Sequence, residues 1–221
     1  MKTSIIACKT ISDELDWAMR ETCCDAPVIW LEQGLHNVPA ELRRAVQAGL
    51  DEIGEGRVLL AMGFCGNAIH GLTVPVDELI VPRVDDCISL LLGSVQRRLA
   101  VSRELSAYFF TEGWLRGERN IWVEHQHMLE QYGEELTEEL EKSMFGHYKT
   151  LGLLDCGIAP IEPLIAGTKM IAEGLHLEQK VIPASARYLA ELLTGPWPDA
   201  RFLVLKKGQR IDDELLSLPE E

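Results

Sequence analysis

The sequence predicts an α/β protein, Rossmann-like, with parallel sheet covered by helices on both faces and the chain divided into two linked lobes. Three observations predict this. Short apolar or β-branched runs alternate with longer stretches of helical spacing, and strands separated by helices pair in parallel rather than as hairpins. The composition is globular, 221 residues with 47% hydrophobic and 25% charged, enough to bury a sizeable core. No low-complexity segment or repeat of fixed period interrupts it, which removes fibrous and solenoid classes.

In order along the chain, residues 3–7 are apolar and β-branched, a first strand, and residues 11–20 place Ile11, Leu15, Trp17 and Met19 among acids as in an amphipathic helix. Residues 27–32 (PVIWLE) form a second strand and 34–39 a loop. Residues 40–53 carry Leu42, Val46, Leu50 and Ile53 at helical spacing. Residues 57–62 make a third strand and 79–81 a short fourth ended by Pro82. Residues 85–101 read as one helix whose leading acids suit the positive end of its dipole. In the second half, residues 107–111 (AYFFT) are a strand, and 118–148 a charged helical stretch broken near Gly133, its acids on a solvated face. A helix over 161–173, a strand over 179–182, a helix over 185–193 and a strand over 202–205 follow. A turn falls at Gly195-Pro196-Trp197-Pro198, and the tail from Gly208 is expected to fray. The lobes span residues 1–105 and 106–221.

The charge balance, 21 Lys and Arg against 35 Asp and Glu, gives −14, a field that repels phosphate backbones and anionic bilayers. Neither nucleic acid nor membrane is an expected partner. No apolar run approaches the roughly 20 residues of a span, and an acidic helix stands where a signal peptide would be cleaved, so the protein is expected in the cytoplasm. Its six cysteines are too sparse for a disulfide scaffold and are expected as reduced thiols, serving either as buried small hydrophobes or as ligands and nucleophiles.

In an open parallel sheet, ligands bind beyond the carboxyl ends of the strands. Cys8 follows the first strand, His36 lies in the loop after the second, Cys65 (GFCGN) follows the third, and Asp85, Asp86 and Cys87 (PRVDDC) follow the fourth. Three thiolates and an imidazole suit a tetrahedral zinc ion or an iron-sulfur centre. The competing reading makes these cysteines core residues, since their spacing matches no C-x-x-C signature. Alternatively Cys87 is a thiolate activated near a helix N-terminus, with Asp85 and Asp86 opposing that effect. The glycine-rich turn around Cys65 lacks the lysine of a P-loop; its glycines either let the backbone approach a bound group or permit positive φ. Asn37, Gly63, Gly66, Asn67, Asp85 and Asp86 are the candidate cofactor contacts, with the aromatic face of Trp114 expected from across the lobe boundary. His70 and His147 are further contributors to such a site. His125 and His127, two apart, form no i,i+4 ligand pair and are expected on the surface, and Cys23, Cys24 and Cys156 are expected as packing residues.

The succession IIAC, GLHNVPAELRRAV, LLAMGFCGNAIHGL, IVPRVDDCISLLLGS, AYFFTEGW and MFGHYKTLGLLD resembles the domain of unknown function family numbered 1638, over about residues 3–205. By that resemblance the family's cysteine after the first strand is Cys8, its LHN motif is His36 with Asn37, its Cys-Gly is Cys65 with Gly66, and its later cysteine is Cys87. Many members show His-Cys where this chain has Asp86-Cys87. The resemblance implies anaerobic one-carbon metabolism, with a corrinoid as cofactor and a corrinoid protein or methyltransferase as partner. Three functions then compete. One is an accessory protein of corrinoid-dependent methyl transfer that holds a metal or cofactor on the Cys/His cluster. Another is an enzyme whose thiolate-held zinc activates a thiol acceptor, with Glu112 or Asp85 taking the proton. The last is an interaction module with structural cysteines and an acidic surface for a basic partner.

Overall fold

A computed structural model describes residues 1–117 and 119–216. Thr3–Cys8 is β1, and Ile5, Ile6 and Ala7 within it are fully buried, as expected of a strand covered on both faces. A 3-10 turn leads into α1 (Ser12–Glu21), then β2 (Val28–Leu31) and a second 3-10 turn (Leu35–Asn37). The helix α2 (Pro39–Ile53) opens on a proline, whose missing N–H costs nothing there. After β3 (Arg57–Ala61) and β4 (Glu78–Pro82) come α3 (Cys87–Leu92) and α4 (Val95–Leu105). The second half runs β5 (Ala107–Phe110), α5 (Glu112–Leu115), α6 (Ile121–Phe145), β6 (Thr150–Asp155), α7 (Glu162–Gly174), β7 (Glu178–Pro183), α8 (Arg187–Thr194) and β8 (Phe202–Lys206).

The fold is mixed α/β. One sheet has the order β2-β1-β3-β4-β8, parallel except for β8, and the other is a parallel β5-β6-β7. Strand alternation sends Ile6, Val58, Leu60, Leu79 and Val81 to one face of the larger sheet, where they pack with Leu42, Val46 and Leu50 of α2. Ile5, Ala7, Leu59 and Ile80 face the other way, onto Leu15 of α1, Leu91 of α3 and Leu189 of α8. Leu154 of β6 and Ile182 of β7 enter this second core, which joins the two sheets, and Phe110, Leu151, Leu153 and Leu164 form a third core beyond them. Because α1 and α2 cover opposite faces, the winding reverses between β1 and β3, and loops diverge there to leave a crevice.

The single helix expected over residues 85–101 is two helices: α3 ends at Gly93, whose φ of 89° leaves the helical region, and Ser94 caps α4 by accepting from Arg97 N–H. The strand β6 is not among the expected elements, because Gly152 weakens its apolar pattern; that glycine sits in a tight place, where a Cβ would meet Ile182 Cδ1 at 2.6 Å and Phe109 Cδ1 at 3.2 Å. The last strand, expected with the second lobe, pairs with β4 (Ile80 with Val204), so the chain beyond residue 106 builds one sheet and completes the other. The tail does not fray before residue 216: Gly71 N–H donates to Ile211 O at 2.7 Å, Ile211 N–H to Leu72 O at 2.9 Å, and the Ile211 side chain is fully buried. The charged stretch is α6, broken at Gly133 (φ 76°, ψ 175°); Glu118, its expected start, lies outside the described residues. Across that break His125 Nδ1 meets Glu141 Oε1 at 2.6 Å, which takes His125 off the surface expected for it, while His127 stays exposed.

Candidate functional site

At the carboxyl ends of the strands, where β1 and β3 diverge, lies a cavity of about 740 Å³ walled by residues from both sheets. Its size is in the range of small-molecule sites, about 300–1,000 Å³. Cys8, the last residue of β1, brings its Sγ to 3.0 Å from Thr10 Oγ1. Cys87, the first residue of α3, is positioned by Asp86, whose side chain caps that helix by accepting from Ser89 N–H at 2.7 Å. Cys65 sits on the turn after β3, its N–H donating to Asp85 O at 2.7 Å. The Cys87 thiol is thereby brought beside those of both Cys8 and Cys65.

Electrostatics fix the state of these thiols. Contact with Cys65 and then burial hold Cys87 well above the ordinary thiol pKa; contact with Cys87 and burial do the same for Cys8. Both are neutral thiols at neutral pH. The expectation that the α3 N-terminus activates Cys87 as a thiolate is therefore reversed: the neighbouring Cys65 thiol and burial outweigh the dipole of a six-residue helix, with Cys8 acting the other way.

His36, in the 3-10 turn after β2, lines the same cavity, and burial lowers its pKa, so its imidazole is neutral at neutral pH. Trp114 of α5 covers the same cavity from the second sheet, its ring 5.1 Å from that of His36. The two sheet edges are clamped here by a buried hydrogen bond from Thr111 Oγ1 to Thr10 O at 3.0 Å. Gly66, Asp86 and His147 also line the cavity. Asn37, Gly63, Asn67 and Asp85 are not among its lining residues. Asn37 and Asn67 point to solvent, and Asp85 is spent on Arg98 Nη2 at 2.5 Å and on the Ser89 hydroxyl. Gly63 serves neither role suggested by the turn, since a Cβ there would lie 2.6 Å from the backbone of Asp86; it lets the β3 loop close on the start of α3. His70 turns away to Asp213, at 3.3 Å.

Sequence reasoning missed the wall formed by Tyr108 and Phe109 of β5, Tyr148, and Arg98 of α4. Tyr108 meets Tyr148 edge to face at 5.3 Å, and burial raises its phenol to about 12. The signal was present in AYFF, which sits at a strand end like the cysteines. Among the described residues no group of three or more His, Cys, Asp or Glu is arranged to hold a metal ion. The three thiols are neighbours, free of disulfides, without sharing a coordination point.

Fold and cavity together define a Rossmann-like α/β protein with a thiol- and aromatic-lined cleft at its topological switch point. The family model described as Protein of unknown function (DUF1638) matches residues 30–193, and the chain belongs to that family. No curated protein and no solved structure matches the chain. Among the described residues no helix is long and apolar enough to cross a membrane.

Proposed function

We propose that the protein binds a metal or metal-bearing cofactor in this cavity and serves as an accessory protein of corrinoid-dependent methyl transfer in one-carbon metabolism. Cys8, Cys65 and Cys87 are its sulfur donors and His36 its nitrogen donor. The observation that carries the reading is the contact of the Cys87 thiol with both Cys8 and Cys65, three residues distant in sequence, at the floor of a cofactor-sized cleft. The donor set fits such a group in kind, since thiols and imidazole are ligands for zinc, iron and other soft or borderline ions. A neutral His36 keeps a ring-nitrogen lone pair for a metal, and loading would displace the thiol protons. When bound, a corrinoid would supply the cobalt that accepts and passes on a methyl group, and a zinc ion would supply a Lewis acid.

The aromatic wall of Tyr108, Tyr148 and Trp114 suits the flat face of a cofactor, and a corrinoid protein or methyltransferase is the partner this role requires. Six free cysteines suit the reducing cytoplasm. The binding reading is favoured over a thiol-activating enzyme because both expected proton acceptors lie off the cavity lining, Asp85 tied to Arg98 and Glu112 facing a different pocket. The test is elemental analysis and an ultraviolet-visible spectrum of protein purified without oxygen. Wild type is expected to carry metal or cofactor, Cys65→Ser to lose it and Cys156→Ser to keep it. Wild type free of both, with the two variants alike, would overturn the reading in favour of structural cysteines.

A further inference from the structure

A second pocket of about 250 Å³ opens at the carboxyl end of β6, and it shares no lining residue with the thiol cavity. It is walled by Asp13, Glu14 and Asp16 of α1, Glu112 of α5 and Asp155 at the end of β6, with Arg20 as its one lining cation. Asp13 is taken by Arg116, at 2.8 Å, and Asp155 accepts from Gly157 N–H at 2.9 Å. Glu14 is different. Its residue is 3% exposed, it lines the pocket, and its Oε2 is buried without a hydrogen-bond partner. An orphaned carboxylate oxygen in a dry pocket is costly unless something donates to it. The Cys156 thiol lies beside this carboxyl but leaves Oε2 unpaired.

We infer that this pocket is a binding site for a small organic ammonium ion, whose N–H groups donate to Glu14 Oε2 and which is drawn in by the negative field of Asp16, Glu112 and Asp155. The carboxylates are not arranged to share a metal ion, so the fitting cation is one that presents several N–H donors to separated oxygens. The N-termini of α1 and α7 each bring about half a positive charge toward the pocket, which the carboxylates outweigh. Burial raises the Glu14 carboxyl to about 7, so it is ionised only in the upper physiological range unless a cation enters. The position matches the rule that parallel sheets place ligands beyond their strand ends, here on the second sheet. This inference is independent of the thiol site.

The experiment titrates the full chain with n-butylammonium chloride at pH 8 and 0.15 M salt, following the Glu14 side-chain carboxyl by ¹³C NMR. Expected is a saturable shift with millimolar affinity and an apparent Glu14 pKa at least about one unit lower in the saturated complex. Tetramethylammonium, which has charge but no N–H, and Mg²⁺ are expected to bind at least about tenfold more weakly. Glu14→Gln, checked for folding by circular dichroism, is expected to weaken butylammonium at least about tenfold, and Glu41→Gln on the exposed face of α2 to leave it unchanged. No saturable shift, equal binding of tetramethylammonium or Mg²⁺, or unchanged affinity in a folded Glu14→Gln would each overturn the assignment. If Glu14→Gln does not fold, the fall in Glu14 pKa on adding butylammonium to wild type decides alone.

Discussion

Glu14 provides a measurement in which one buried group should govern how stability depends on pH. Its carboxyl is raised from the ordinary 4.5 to about 7, chiefly by burial, with Asp13 adding to the rise and Arg116 opposing it. A carboxyl whose folded pKa lies above its unfolded one contributes stability that is fully present below the unfolded value and lost as pH rises through the folded value. From 4.5 to about 7, at about 1.4 kcal/mol per pH unit, that loss is about 3 kcal/mol. Glu14→Gln keeps the shape of the protonated carboxyl and cannot ionise. Titrating groups that do not interact with Glu14 contribute equally to both proteins and cancel in their difference. Urea denaturation of wild type and Glu14→Gln at pH 4.5 and pH 8 is the assay. The variant's stability relative to wild type is expected to improve by about 3 kcal/mol between the two conditions. A difference constant within about 1 kcal/mol would refute the claim that burial of Glu14 outweighs the opposing charge of Arg116.

Further outcomes test the elements that build the thiol cavity. Asp86→Ala removes the cap of α3 and should cost about 1 kcal/mol and lower Tm by about 2–4 °C, whereas Asp86→Asn, which still accepts from Ser89 N–H, should stay within about 0.5 kcal/mol of wild type by calorimetry. Gly63→Ala drives a Cβ into the Asp86 backbone and should destabilise by about 1–3 kcal/mol in urea; a neutral result would mean that the β3 loop does not close on α3 as described. Ile211→Ala, at a fully buried side chain, should cost about 2–5 kcal/mol, against no cost for a frayed tail.

The four strand ends that carry Cys8, His36, Cys65 and Cys87 were legible because the alternation of apolar runs with helical spacing is a local signal. The same holds for α2, whose Leu42, Val46 and Leu50 recur at the period of one helix face. Even the aromatic wall was visible in part, as a strand of the right composition, though not as a lining. Two failures in placing elements fall where a glycine carries the decision. Gly93 splits what reads as a continuous helix, and Gly152 hides a central strand whose tight packing at that point comes from Ile182, thirty residues further on.

By itself the sequence determined the α/β class, the parallel pairing, the positions of most elements and which side chains stand at the strand ends. These follow from residue periodicity and from propensities that act within a few residues. Only the tertiary structure decided that β8 returns to the first sheet, that Ile211 docks under residues 71–74, that the Cys87 thiol meets two others, and that Glu14 is left buried with an unpaired oxygen. Each depends on groups far apart along the chain, as in the clamp from Thr111 to Thr10. No local pattern encodes such a contact; it is selected by the free energy of burying several apolar faces at once, and the states of the thiols and of Glu14 follow from the dry environment that this burial creates.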